Sequence, residues 1–586
     1  MGLLQKAVET YDSHYDYAGE NREGNTMMAP VGHIVTRAEL EITLDAEGHF
    51  VDATAVDKTA PKIIIPATES SAGRTSAPCP HPLCEQIEYL ISANEKKFKL
   101  YVNQLAAWES SEYSHPKLTS LLRYVRGETI LGDLQRCGLV KLNESGLLNN
   151  EKDLIRWRIQ GEGVEECWLD HTLFDAFTAY YLSIHEGASM FCMVTGDEVL
   201  TAGQHPKGII PFYGNAKLIS TNDSSGFTYR GRFTEGWQAA GVGYEASQKA
   251  HNALRWLGQE QGVILGGRTF LCWNPQGRRI IQAHLPFMQP KTIFRPSEYK
   301  DELQAVLNSK KAELKLTDGV VMAAFDAATT GRLSLTYYNE LQAHDFLERL
   351  HDWDASCCWP HRYLGIQSPR LRSIVDCAFG TQRDKRMETD DRVLRQQMQR
   401  LIACRVDKSL IGADIVKALT SRASRPLAYD PYVWEDILFT ACAVIRKYRM
   451  DRFKEEWNMA LEPEKKDRSY QFGRLLAVME KVERDTYDND TREPNAIRMQ
   501  SIFCQRPIYA AGNLEKQLER AYFPRLKPGI RIWYKNLMGQ IMDIISTFPQ
   551  EDWNKPLEDS YLMGYYLQRS ALYTKKTNNE MEENEQ

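Results

Sequence analysis

Glu39-Leu40-Glu41-Ile42-Thr43-Leu44-Asp45-Ala46-Glu47-Gly48-His49-Phe50-Val51 reads as two short strands joined by a tight turn. Leu40, Ile42 and Leu44 fall on alternate positions, which puts all three on one face of a pleated strand. Asp45 to Gly48 holds the residue types that reverse a chain at low cost, Asp through local hydrogen bonds and Gly through its freedom at positive φ. The alternation begins at His33-Ile34-Val35 and runs on toward Lys62, so a β-hairpin opens the fold. Pro66 to Pro82 then breaks the pattern. It carries Ser70, Ser71, Gly73, Arg74, Thr75, Ser76 and prolines at 78, 80 and 82, too few apolar groups to pack and too many breakers for regular structure. A long exposed loop over 66–82 is expected. Helical spacing resumes at Cys84–Leu90 and at His115–Arg126.

Farther along, residues 151–350 mix short strands at Lys217–Ser220, Thr269–Trp273 and Gly319–Phe325 with glycine turns and an amphipathic helix at Glu245–Gln259. From Asp390 onward long helical patterns take over, at Arg392–Val406, Tyr432–Glu456, Tyr470–Asp488, Ala496–Phe523, Arg531–Phe548 and Leu557–Lys575. The expected class is α+β: a mixed N-terminal and central region, divided at 1–150 and 151–389, then a helical connector at 390–458 and an all-α bundle at 459–586. No repeat of solenoid period is present.

At 586 residues, with 43% hydrophobic, 26% charged and 10% aromatic side chains, the chain can bury sizeable cores and is not a disordered protein. It contains no run approaching the ~18 apolar residues of a membrane span. Met1 to Tyr15 carries Lys6, Glu9, Asp12 and His14 where a signal peptide needs an apolar stretch, so a cytoplasmic protein is expected. The net charge of −6 excludes the overall basic excess of a free-standing DNA-binding domain, and any nucleic-acid surface must be local. Twelve scattered cysteines lack the density of a disulfide scaffold and are read as reduced, mostly buried thiols.

Two clusters invite a metal. Cys79-Pro80-His81-Pro82-Leu83-Cys84 places three zinc-type ligands in six residues, but lacks a matched second pair. His351-Asp352 has the His-Asp adjacency of metal-dependent phosphohydrolases, and is equally a pair on a helix surface. No GxxxxGK[ST], HExxH or GxSxG motif occurs. Basic groups cluster twice. Ser225 to Phe233 interleaves Phe227 and Tyr229 with Arg230 and Arg232, a combination that can hold phosphates while bases stack on rings and is equally a β-hairpin with a solvated basic face. From Arg498 to Lys535, Arg498, Arg506, Lys516, Arg520, Arg525, Lys527, Arg531 and Lys535 oppose only Glu515 and Glu519, a local +6 in an acidic protein that favours a polyanion partner.

Longer strings carry a resemblance. Phe191-Cys192-Met193-Val194-Thr195-Gly196, His205-Pro206-Lys207, Gly214-Asn215-Ala216-Lys217-Leu218-Ile219-Ser220 and Gly226-Phe227-Thr228-Tyr229-Arg230-Gly231-Arg232-Phe233 stand in the order seen in the large subunit of the type I-C CRISPR Cascade complex. Tyr244-Glu245-Ala246-Ser247-Gln248-Lys249-Ala250-His251, Ala253-Leu254-Arg255-Trp256, Thr330-Gly331-Arg332-Leu333-Ser334 and Tyr561-Leu562-Met563-Gly564-Tyr565-Tyr566-Leu567-Gln568-Arg569 extend the likeness across the chain. The resemblance implies a non-catalytic subunit, without cofactor, of an RNA-guided surveillance complex of antiviral defence. Its implied partners are backbone subunits carrying the guide RNA, double-stranded target DNA, the displaced strand of the R-loop and a recruited helicase-nuclease. In such complexes guide pairing reads the target, while protein reads a short flanking motif and holds the displaced strand. On chemistry, the expected flanking-motif (PAM) readers are Ser70, Ser71, Gly73, Arg74 and Thr75, with Asn215, Lys217, Tyr229, Arg230 and Arg232 as phosphate or base neighbours. Arg498, Arg506, Arg520, Arg525, Lys527, Arg531 and Lys535 are the expected surface for the displaced strand. The rival readings are a metal-dependent nuclease using His351, Asp352 and the Cys79–Cys84 cluster, and a purely architectural subunit.

The resembling family also implies a separate small subunit from an internal start, and Met459 is the candidate. Lys454-Glu455-Glu456 must be encoded by an uninterrupted purine run two codons upstream, as in a bacterial ribosome-binding site. Residues 459–586 hold four expected helices, with Leu475, Leu476, Ile502, Leu518, Leu537, Ile541, Ile544 and Leu562 as the expected core.

Overall fold

A computed structural model describes residues 2–19, 27–74, 77–141, 148–220, 233–277, 280–315, 318–487 and 492–584. The fold is α+β, and the chain divides into two compact units. One holds Met1–Ile264, Arg268–Ile280 and Gly319–Glu340; the other holds Leu265–Gly267, Ile281–Asp318 and Leu341–Gln586.

In the first unit the opening hairpin is present, with a refinement. Leu40–Leu44 pairs antiparallel with Phe50–Ala55, whereas His33–Thr36 pairs separately with Ile63–Pro66. Gly48 makes the turn at a φ of 85°, where a Cβ would lie 2.3 Å from the Ser120 carbonyl oxygen, so only glycine fits. Leu154–Ile159 adds in parallel to Leu40–Leu44, and Glu85–Gln86 closes the sheet antiparallel to Leu154–Ile159. The apolar face of Leu40, Ile42 and Leu44 is buried with Trp108, Leu121, Trp157 and Phe177 in one core. Each such side chain contributes ~1.5–3 kcal/mol on leaving water.

A second core in this unit gathers Tyr11, Leu254, Trp273 and Phe325. The helices Leu3–Ser13 and Tyr244–Glu260 pack together over it. Strands Arg268–Trp273 and Gly319–Thr329 run antiparallel beneath, in register from Thr269↔Phe325 to Trp273↔Val321. The expected strand at Lys217–Ser220 shrinks to single bridges of Lys217 with Lys207 and Arg332. The helix expected from Cys84 is preceded by the Glu85–Gln86 strand and runs only over Ile87–Leu90.

The second unit carries the long helices Asp391–Val406, Pro431–Phe453, Arg468–Arg484, Pro528–Ser546 and Ser560–Asn584, each near its expected place. The helix expected over Ala496–Phe523 is instead broken into Asn495–Arg498, Gln500–Gln505 and Pro507–Gln517, followed by a π turn at Leu518–Tyr522. Pro507 is the clearest cause, because its ring displaces the carbonyl four residues earlier and it has no N–H to donate. Ile502, expected in the core, is exposed on one of these short pieces. Arg468–Arg484 is the central helix, buried on nearly every side. It meets Ser560–Asn584 backbone to backbone: a Cβ on Gly473 would lie 1.9 Å from the Tyr561 carbonyl oxygen, and one on Gly564 would lie 2.1 Å from that of Tyr470. Among the described residues no helix is long and apolar enough to cross a membrane.

Candidate nucleic-acid interface

The segment expected as an exposed loop is largely packed, and several of its polar residues are engaged within the fold. Thr68 and Ser71 exchange hydrogen bonds as a capping box that starts the short helix Glu69–Gly73. Arg74 forms a two-pronged ion pair with Glu85, Nη1 to Oε2 at 2.5 Å and Nη2 to Oε1 at 2.9 Å, and its Nη1 also donates to the Cys79 carbonyl at 3.0 Å. Glu85 is fully buried, and its Oε2 accepts the His81 N–H as well. A buried carboxylate needs this fork, so the Arg74 guanidinium is held by Glu85 within the fold. Ser71 is buried too, its hydroxyl 2.9 Å from His81 Nδ1. Ser70 remains exposed, and Thr75 lies outside the described residues.

A second loop comes against this helix. The Glu69 carboxylate accepts the backbone N–H groups of Gly203 at 3.2 Å and Gln204 at 3.3 Å, and burial raises its pKa. The Gln204 side chain then lies over Gly73, where a Cβ would sit 2.5 Å from its Oε1. Beyond it, Lys207 and Lys217 oppose each other in an antiparallel bridge, both half-buried. Burial, and then Lys207, lower the Lys217 pKa. Arg255 braces the turn from below, donating to the carbonyls of Lys207 at 2.7 Å and Gly208 at 3.2 Å. His205 and His251, both buried, share Ser247: His205 Nδ1 is 2.8 Å and His251 Nδ1 is 3.3 Å from its Oγ. Burial lowers the pKa of His205 to about 3 and that of His251 to about 4, so both rings are neutral near pH 7.

The structure therefore brings the Glu69–Gly73 helix, with Ser70, Ser71 and Gly73, against the 203–217 segment that carries Lys217, and leaves Asn215 exposed on the adjoining turn. Tyr229, Arg230 and Arg232 lie outside the described residues. Gln204 and Lys207 were not foreseen; the only signal was the His205-Pro206-Lys207 string, which carried no assigned role.

In the second unit Arg498, Arg506, Arg520, Arg525 and Lys527 are exposed and Arg531 half-buried. Lys535 is exposed as well but pairs with Glu519 at 2.7 Å. On Pro528–Ser546, Arg531 and Lys535 share one face by their four-residue spacing. Ile530, Trp533, Leu537 and Ile544 line another face at intervals of three, four and seven, with Ile530 and Trp533 each 42% exposed. Cations and aromatic side chain are thus both outward but not side by side.

The candidate metal ligands are engaged elsewhere. Cys84 is enclosed in the core with its thiol pKa pushed well up by burial, and His81 holds Ser71. His351 Nδ1 lies 3.6 Å from Asp352, which also pairs with Lys408 at 3.2 Å. Among the described residues no three His, Cys, Asp or Glu side chains converge as a metal site.

Residues 9–573 match the family model described as CRISPR-associated protein (Cas_Csd1). No curated protein matches the chain.

Proposed function

Because the chain belongs to the Cas_Csd1 family of CRISPR-associated proteins, we propose that it is the non-catalytic large subunit of a type I-C Cascade complex. In that role it recognises the protospacer-adjacent motif in duplex DNA, helps open the duplex and holds the displaced strand before a helicase-nuclease is recruited. The single observation that carries this is the family match over nearly the whole length. The Gly73–Gln204 contact and the neighbouring Lys207 and Lys217 support flank recognition, since they combine half-buried cations with an amide that has no partner among the described residues. The exposed cations of Arg498 to Lys527 support a sequence-independent hold on a single strand. Affinity purification of the tagged chain from cells expressing the whole system tests the proposal: guide RNA and backbone subunits should come with it, and isolation of the chain free of RNA would contradict it.

We further propose that translation from Met459 yields residues 459–586 as a separate small subunit. The central helix Arg468–Arg484 packs chiefly against Ser560–Asn584, Pro528–Ser546, Asn495–Arg498 and the Leu518–Tyr522 turn, all inside that piece. Its buried charges are met there as well: Arg474 donates to Gln568 at 2.9 Å, and Glu480 accepts from Arg484 at 2.7 Å and from the Tyr565 hydroxyl. Intact mass of the purified complex should show a species of that length. Met459→Ala should abolish it.

A further inference from the structure

Lys207 and Lys217 face each other directly across a bridge. Opposed like charges on one face of a strand pair destabilise it, more so when half-buried. Among the described residues neither ammonium has a hydrogen bond or ion pair; Glu69, the carboxylate that acts on Lys217, has its oxygens on the N–H groups of Gly203 and Gln204. The turn is nevertheless braced, because the half-buried Arg255 guanidinium donates to the carbonyls of Lys207 and Gly208. Two ammoniums without a partner among the described residues, held on a braced turn, form an arrangement suited to an anion.

Gln204 stands beside them. Its backbone N–H is anchored by Glu69, while its side-chain amide has no partner among the described residues. The amide oxygen occupies the space a side chain at residue 73 would fill. A Gln amide can present one of its N–H donors and its acceptor oxygen side by side in one plane, the pattern that matches the major-groove edge of adenine among the four bases. Arg74, the neighbouring side chain with comparable base-reading ability, is held by Glu85.

Resting on the flank-recognition reading above, we propose that Gln204, seated on Gly73, is the base-edge reader of the flanking motif, and that Lys207 and Lys217 clamp the adjoining phosphates. Gly73 then acts as a positioning residue. A methyl group there meets only the far end of a flexible side chain, so Gly73→Ala leaves the fold intact and pushes the amide away.

The test measures equilibrium binding of the assembled complex to target duplexes with the correct flank and with each flank base substituted in turn, at several salt concentrations. Gln204→Ala should lower the preference for the correct flank by roughly 5- to 150-fold. Gly73→Ala should lose a similar factor at unchanged Tm, and the double variant should be no worse than Gln204→Ala alone, since both remove one contact. Lys207→Ala and Lys217→Ala should weaken all duplexes alike, each lowering the slope of log K against log salt by about 0.9. Full flank preference in Gln204→Ala overturns the assignment, and so does an additive loss in the double variant. A wild-type complex with no flank preference would instead sink flank recognition itself.

Discussion

Replacing Gly564 with Ala should break the tightest helix crossing in the second unit. The new Cβ would lie 2.1 Å from the Tyr470 carbonyl oxygen, 2.9 Å from its carbonyl carbon and 3.0 Å from its Cα. These are backbone atoms of a helix, so no rotamer change relieves the clash. The oxygen contact falls more than about 1 Å short of ordinary separation, and the two helices must part by about that much. Tyr470, Leu475, Leu476, Tyr561, Leu562 and Tyr565, all essentially fully buried, would lose contact together. Overpacking of this kind costs ~3 kcal/mol at the upper end of its usual range, against ~1 kcal/mol that Ala gains over Gly in a helix interior. A net loss of ~2 kcal/mol corresponds to a fall in Tm of roughly 4–8 °C, read by calorimetry or near-ultraviolet circular dichroism. Gly539→Ala is the matched control. Nothing lies within 4 Å of a Cβ there, so it should stabilise by ~0.5–1 kcal/mol. If Gly564→Ala melts as high as the parent or higher, helix propensity outweighs the crossing and the packing argument is wrong.

Arg74→Ala should destabilise the first unit by ~3 kcal/mol, because Glu85 is left charged and buried, and Glu85→Gln in the same chain should recover part of the loss; equal stability of Arg74→Ala and parent in urea melts would refute the pairing. Acid should unfold this unit early. Burial lowers the pKa of His33 and His251 to about 4 and of His81 and His205 to about 3, so below pH 6.5 the unfolded chain takes up protons that the folded chain refuses. Stability, complete above pH 6.5, should therefore fall between pH 6.5 and 4 by roughly 1.4 kcal/mol per histidine and pH unit, and a Tm flat over that window would contradict the burial of these rings. On the cationic helices, Lys527→Ala should lower the salt slope for single-strand binding by about 0.7, whereas Lys535→Ala should do less because Glu519 already neutralises it.

Elements set by local periodicity were legible from sequence. Leu40, Ile42 and Leu44 alternate because one face of their strand is buried, and the helices Asp391–Val406 and Pro431–Phe453 show their apolar spacing directly. What stayed hidden depends on partners distant in the chain. Residues 66–82 look too polar to pack until Glu69 meets Gly203 and Gln204, 134 and 135 residues away, and Ser71 meets His81. Arg74 has base-reading chemistry by type, and only the fold reveals that Glu85 claims it. The break at Pro507 was visible in principle, because proline in a helical pattern ends the helix before it. The π turn at Leu518–Tyr522 has no comparable mark. Gln204 could not be singled out, since what distinguishes it is the space left by Gly73.

The most direct measurement compares Cascade complexes reconstituted with and without this chain, binding matched targets that differ only in the flanking motif. With the chain present, the correct flank should bind tighter by at least tenfold; without it, the difference should vanish while pairing of the guide to single-stranded target persists. Undiminished flank discrimination by the complex lacking the chain would contradict the account.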